Sequence, residues 1–277
     1  EGVGRFRVNV YRQRGETAMV IRFVKHNIPS IDALNLPPVL QKLAVEPRGL
    51  ILVVGAAGSG KSTTLASMID YRNRERDGHI LTIEDPIEYL HTHRRSVVSQ
   101  REVGMDTESF GAALKNAMRE APDVILVGEI RDLDTMKYAI SYAESGHLCV
   151  STLHSNNANQ ALDRIISFFP DSAHRQILMD LSLNLKAVVS QRLIPDGKGG
   201  LIPAVEVMLL SKYISELIRK GEFGDIKDAM EQSEMHGMQT FDQALFDLYK
   251  SGRITHEQAL ENADSRNDLA LRFRLSG

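Results

Sequence analysis

The chain has 277 residues, 43% of them hydrophobic and 25% charged, which is ample material for a main domain with appendages and unlike a disordered or membrane-embedded protein. A formal net charge of -3 carries no basic excess of the kind nucleic-acid binders show, so no nucleic-acid partner is expected. Cys149 is the single cysteine, which excludes an internal disulfide and a multi-cysteine zinc site and fits a reducing cytoplasm; with no long apolar run and no leader-like start, no direct membrane insertion is expected and any membrane link must go through a partner.

In chain order, Phe6 to Tyr11 and Thr17 to Phe23 alternate as strands around Arg14-Gly15-Glu16, a hairpin at the edge of something larger. The chain starts on Glu1 in strand-like sequence, and residues 1–27 are expected to be a piece of an N-terminal domain. Residues 28–47 contain Pro29, Pro37, Pro38 and Pro47 around one short helical stretch, Val39 to Ala44, and read as an interdomain linker and hinge. Residues 48–210 alternate apolar runs (Leu50 to Val54, Ile80 to Ile83, Val124 to Val127, Leu148 to Thr152) with amphipathic segments such as Phe110 to Arg119 and Thr135 to Ala143. That alternation predicts an α/β core, a parallel sheet with helices on both faces. Asp132 and Asp134 are expected to cap the helix ending near Gly146, and Asn156 the one over Ala158 to Ser167. A helical stretch is expected over Ser172 to Val189, then a strand pair, Gln191 to Ile194 with Leu201 to Leu210, across the turn Asp196-Gly197-Lys198-Gly199-Gly200. Residues 211–277 read as a C-terminal helical bundle.

Four segments carry chemistry. Gly55-Ala56-Ala57-Gly58-Ser59-Gly60-Lys61-Ser62-Thr63 is a complete phosphate-binding loop where a strand passes into a helix. Its glycines let backbone N–H groups curl around phosphates, and the helix N-terminus favours their charge. Lys61 is expected on the β- and γ-phosphates of ATP and Ser62 on Mg²⁺. Pro122 to Glu129 is an apolar strand ending in a carboxylate; Gly128 stands where many ATPases have Asp, leaving Glu129 for the metal's water shell or the attacking water. Ile83-Glu84-Asp85-Pro86-Ile87-Glu88 ends another strand. Three acids so close repel one another unless a cation or arginine lies between them, so Glu84, Asp85 and Glu88 are assigned a metal-proximal role with Glu84 as general base. His154, at a further strand end, is placed to sense the γ-phosphate, whereas His147 reads as structural.

In this order the segments resemble the secretion-type ATPases that drive type IV pili and type II secretion. In that family's terms they are the Walker A loop, the acidic box, the Walker B segment and the His box. The likeness covers essentially the whole chain and implies a RecA-like P-loop core preceded by a fragment of a PAS-like domain. The missing four-cysteine zinc insert, together with Glu216-Leu217-Ile218-Arg219-Lys220 and His236 to Gln243, is similar to the pilus-retraction branch. Within it, Gln100 to Gly104, Ala121-Pro122-Asp123, Leu153 to Asn157 and Ser251 to Thr255 are nearer to the PilU members than to PilT.

The resemblance further implies a homo-hexameric ring at the cytoplasmic face of the inner membrane, working on a pilus platform protein and alongside a paralogous retraction ATPase. It also implies that Arg7 and Arg22 reach the nucleotide's phosphates, stabilising charge during γ-phosphoryl transfer. Motor direction is not written in these motifs. An accessory nucleotide-binding ring, a pilus-extension or secretion ATPase, and a RecA-like nucleic-acid motor are the alternatives.

Overall fold

The structure, a computed structural model, describes residues 5–24, 27–197 and 199–276. Residues 1–4, 25 and 26 of the N-terminal stretches, and Lys198 of the expected turn, lie outside them.

The elements run in order: β1 (Arg5–Gln13), β2 (Glu16–Val24), α1 (Val39–Ala44), β3 (Gly49–Val54), α2 (Lys61–Glu75), β4 (Gly78–Glu84), β5 (Ser96–Glu102), α3 (Phe110–Ala117), β6 (Val124–Val127), α4 (Leu133–Glu144), β7 (Leu148–Leu153), α5 (Ala158–Ser167), α6 (Asp171–Asn184), β8 (Leu185–Pro195), β9 (Leu201–Leu209), α7 (Lys212–Lys220), α8 (Ile226–Glu231), α9 (Phe241–Lys250), α10 (His256–Glu261) and α11 (Arg266–Ser276). β1 and β2 form a separate antiparallel ribbon, while the other strands build one sheet in the order β5-β4-β6-β7-β3-β8-β9. All neighbours in that sheet are parallel except β8 and β9.

Side chains alternate across a strand, so central β3 feeds both faces. Leu50, Leu52 and Val54 enter the core shared with α3 to α8, and Ile51 and Val53 enter the core shared with α1 and α2. All five are fully buried, which is why this strand reads as an uninterrupted apolar run. Each contributes at most about 1.5–3 kcal/mol of burial.

The proline-punctuated stretch differs from a free linker. Ile31, Leu36, Leu40 and Leu43 are buried in the second core, and Ser67 Oγ donates to the Pro29 carbonyl at 2.7 Å. From Ile31 to Ala44 this segment is therefore packed into the second core of the sheet by the very apolar residues that its prolines obscure.

Three local expectations are corrected. The helix expected over Ser172 to Val189 stops at Asn184, and Leu185 onward is strand, because Leu50 to Val54 pairs there with Leu185 to Ser190. The β-branched Val188 and Val189 fit that pleated, buried position. Asn157, not Asn156, caps α5, its side chain accepting from the Gln160 N–H at 3.0 Å. Asp132 does cap α4, in a reciprocal box with Thr135, and Asp134 lies within the first turn. Finally, β5 was not foreseen: SVVSQRE is a polar edge strand. It is held from outside itself, as the buried Asn73 side chain accepts from the N–H groups of Arg94 and Ser96.

The C-terminal helices divide between two cores. α7 and α8 join the large core beneath α6, whereas α9 to α11 gather around Phe241, Leu245 and Ile254 over the far end of the β8–β9 pair.

Candidate nucleotide site

The strand order brings the C-terminal ends of β4, β6, β7 and β3 side by side, the edge where ligands collect in an open α/β sheet. The loop after β3 turns on Gly55. With φ +153° there, a Cβ would lie 2.4 Å from Ser59 Oγ and 2.5 Å from the Gln191 carbonyl, so only glycine closes it. Gly60, in the left-handed conformation, precedes Lys61, the first residue of α2. The Lys61 ammonium donates to the carbonyls of Gly55 and Ala56, each at 2.9 Å. Burial pushes its pKa down, opposed by the negative charge of Glu129.

A cavity of about 360 Å³ opens beside this loop, lined by Arg7, Lys61, Ser62, Glu84, Glu129 and His154 among others. Asp85 and Glu88 also line it, as do Ala57 and Gly58. A larger one of about 890 Å³, between the β1–β2 ribbon and the loop, includes Arg7, Arg22, Gly60, Lys61, Ser62 and Thr63. The expected residues are thus brought together, with three exceptions on the loop. Gly55 and Ala56 line a separate groove with His154 and Asn156, and Ser59 is buried with its hydroxyl unpartnered among the described residues.

Arg7 and Arg22 face each other directly across the ribbon. Two like charges in that position repel, an arrangement that an anion between them would reverse. Glu84 is half-buried at the end of β4, its carboxylate accepting from Thr82 Oγ1 at 2.7 Å and more weakly from Gln100 Nε2 at 3.4 Å. Desolvation pushes its pKa up, against the lowering effect of those hydrogen bonds and one from the Glu88 backbone.

Glu129 sits between two partners. Its Oε1 is 3.1 Å from His154 Nε2, and its Oε2 accepts from Arg131 Nε at 2.8 Å. Gly128 has a steric explanation: its Cβ would stand 3.2 Å from the Glu84 backbone, and its N–H donates to the Ile83 carbonyl at 2.8 Å. The glycine lets the ends of β4 and β6 close up, bringing both carboxylates to one cavity. His147 lies at the opposite end of β7, its ring 3.1 Å from Ser145 Oγ, in keeping with a structural role.

Sequence reasoning missed several contributors. Arg131 pairs with Glu129 and approaches Asp85 at 3.9 Å; its spacing two residues past a strand-end acid was the available signal. Tyr89 shares a 2.9 Å hydroxyl contact with Thr63, and Gln191 accepts from Thr64 Oγ1 at 2.7 Å. These join segments 26 and 127 positions apart, and nothing local marks them.

The residues fit a nucleoside triphosphate with its magnesium. Lys61 and Arg7 line both cavities and Arg22 the larger one, while Ser62 and Glu88 in both, and Glu84 and Glu129 in the smaller, supply oxygens. Among the described residues no group of three or more His, Cys, Asp or Glu forms a complete metal site.

A largely parallel sheet with helices on both faces, a glycine loop closing onto a helix at its central strand, and acids at the neighbouring strand ends define a P-loop NTPase with a RecA-like core. The chain belongs to the Type II/IV secretion system protein family, whose model matches residues 3–249. It is 56% identical over 99% of its length to the type IV pilus ATPase PilU of Pseudomonas aeruginosa, covering 72% of that protein. To the same organism's "Type IV pilus retractation ATPase PilT" it is 43% identical, covering 95% of this chain and 76% of the relative. The crystal structure of the pilus retraction motor PilT with bound ADP superposes with a TM-score of 0.92 at 46% identity, over 98% of this chain and 77% of that one. No helix among the described residues is long and apolar enough to cross a membrane.

Proposed function

We propose that this chain hydrolyses ATP to drive retraction of type IV pili. The observation that carries the reading is that Arg7 of the ribbon shares one cavity with Lys61, Glu84 and Glu129 and a second with Arg22 and Lys61, in a chain 56% identical to one pilus ATPase and 43% to another. The loop from Gly55 to Thr63 cradles the phosphates through backbone N–H groups, and Lys61 leaves the carbonyls of Gly55 and Ala56 to reach the β- and γ-phosphates.

Ser62, Glu129, Glu84, Asp85 and Glu88 are the residues available to hold Mg²⁺, directly or through water; bound there, the ion would neutralise phosphate charge and orient the γ-phosphoryl group. Glu84, with its pKa raised by burial, takes the proton from the attacking water as its oxygen bonds to the γ-phosphorus and the bond to ADP breaks. Glu129 orients that water. Arg7 and Arg22 meet charge developing on the transferred group, and His154, held on Glu129, registers whether the γ-phosphate is present.

In the same reading the β1–β2 ribbon is the last part of a PAS-like domain and the unit 48–210 is the motor core, with the helical region 211–277 following it. The chain assembles as a homo-hexamer at the cytoplasmic face of the inner membrane, acting on the pilus platform and together with a paralogous retraction ATPase. Closing the ribbon onto the core in one nucleotide state and releasing it in another supplies the stroke. Lys61→Ala is expected to lower ATP turnover at least about 100-fold, and Glu129→Gln comparably. Unchanged hydrolysis by both would end this reading. In cells, loss of the gene should leave surplus pili without motility; loss of the fibres instead would indicate extension.

A further inference from the structure

The mechanism leaves unused a partly exposed polar junction behind His154. Arg192 of β8 directs its guanidinium at three acceptors on two separate segments. It donates to the Asn262 carbonyl at 2.5 Å and to the Asn156 carbonyl at 3.5 Å, and pairs with the Asp264 carboxylate at 2.5 Å. Its flat face lies 4.0 Å above the ring of the fully buried Phe241. A planar fork with fixed donor directions suits several simultaneous acceptors as a flexible ammonium does not.

These contacts reach the loop that carries His154. Asn156 is two residues past it, and Asn157, the cap of α5, donates its side-chain amide to the other oxygen of Asp264 at 3.4 Å. The loop is thus held at two consecutive residues by one Arg–Asp pair. Asp264 is anchored in turn, since Asp242 accepts from the backbone N–H groups of Asp264 and Ser265 and pairs with Lys227 at 2.7 Å. On the same strand, neighbouring Gln191 accepts from Thr64 at the start of α2.

We infer that Arg192 is a positioning residue for hydrolysis. It fixes the His154 loop so that the imidazole meets Glu129, and ties that loop to the C-terminal helices. The inference rests on the reading of His154 as the γ-phosphate sensor, so its test separates the two.

ATP turnover and binding of a fluorescent ADP analogue would be measured for Arg192→Met, His154→Ala and the double variant. Arg192→Met, which keeps a stem over Phe241, is expected to lower turnover about tenfold or more, as slight misplacement of a reacting group can, with analogue affinity within about threefold. On the His154→Ala background the same change is expected to cost less than about twofold, because both act through one contact. Asp264→Asn, which keeps the shape, should show a smaller loss with the same dependence on His154, and it serves if Arg192→Met does not fold. Normal turnover by His154→Ala would overturn the sensor reading and this inference together. An impaired His154→Ala combined with normal turnover in Arg192→Met, or with additive losses, would overturn this inference alone.

Discussion

Two antiparallel strand pairs in this chain share a design and meet opposite fates. β1–β2 and β8–β9 each place nine residue pairs in register. On the first ribbon, Phe6, Val8, Val10, Met19, Ile21 and Phe23 form one apolar face and are 46–59% exposed. On the second, Val188, Val189, Ile194, Ala204 and Val207 are fully buried, because β8 also pairs with β3 and α9 packs across β9. An isolated two-stranded ribbon is marginal by itself, so β1–β2 contributes little to the core, and what it offers is a pair of arginines. β8–β9 instead stiffens the sheet and carries the polar side chains, Gln191 and Arg192, that join the nucleotide loop to the C-terminal helices.

The largest expected effect tests that division on the first ribbon. Replacing both Arg7 and Arg22 by Ala should lower ATP turnover about 10³-fold, while the melting temperature stays that of the parent protein; a large fall in stability would show the ribbon to be part of the core. Next comes a matched pair of isoleucines. Ile194→Ala in β8 removes a fully buried side chain and should cost about 2–5 kcal/mol in denaturant unfolding.

Glu206, on β9, offers a pH-dependent test of the second ribbon. Burial is the main cause that lifts its carboxyl from an ordinary 4.5 to about 7, despite hydrogen bonds from the Ala158 N–H and Ser190 Oγ. Between these values the native state keeps a proton that the unfolded chain releases. Its contribution to stability is therefore complete below about pH 4.5, and is lost as pH rises through about 7. Relative to Glu206→Gln, the parent should lose up to about 3 kcal/mol between pH 5 and 8. Parallel pH profiles for the two proteins would refute the buried-carboxyl account. Smallest is Ile21→Ala on the exposed ribbon, expected to change stability by no more than about 0.5 kcal/mol. A shift as large as that of Ile194→Ala would erase the contrast between the ribbons.

Features written in contiguous residues were legible beforehand: the loop from Gly55 to Thr63, the hairpin around Arg14-Gly15, the strand over Val124 to Val127 and the helix over Val39 to Ala44. Each depends on local spacing, backbone freedom or side-chain periodicity, which chain order alone specifies. The family resemblance pointed to Arg7 and Arg22, but their cross-strand opposition and the cavity they share with Lys61 belong to the folded molecule. The same holds for Leu185 to Val189, drawn into strand by pairing with β3, and for β5, held by Asn73 from another element. Arg131 on Glu129, Tyr89 on Thr63, and Arg192 between Asn156 and Asp264 likewise depend on which strands end side by side. The chemistry of the loop was thus set by its own residues, whereas the partners that complete the site were chosen by strand order, because burial and pairing act between segments that the sequence holds far apart.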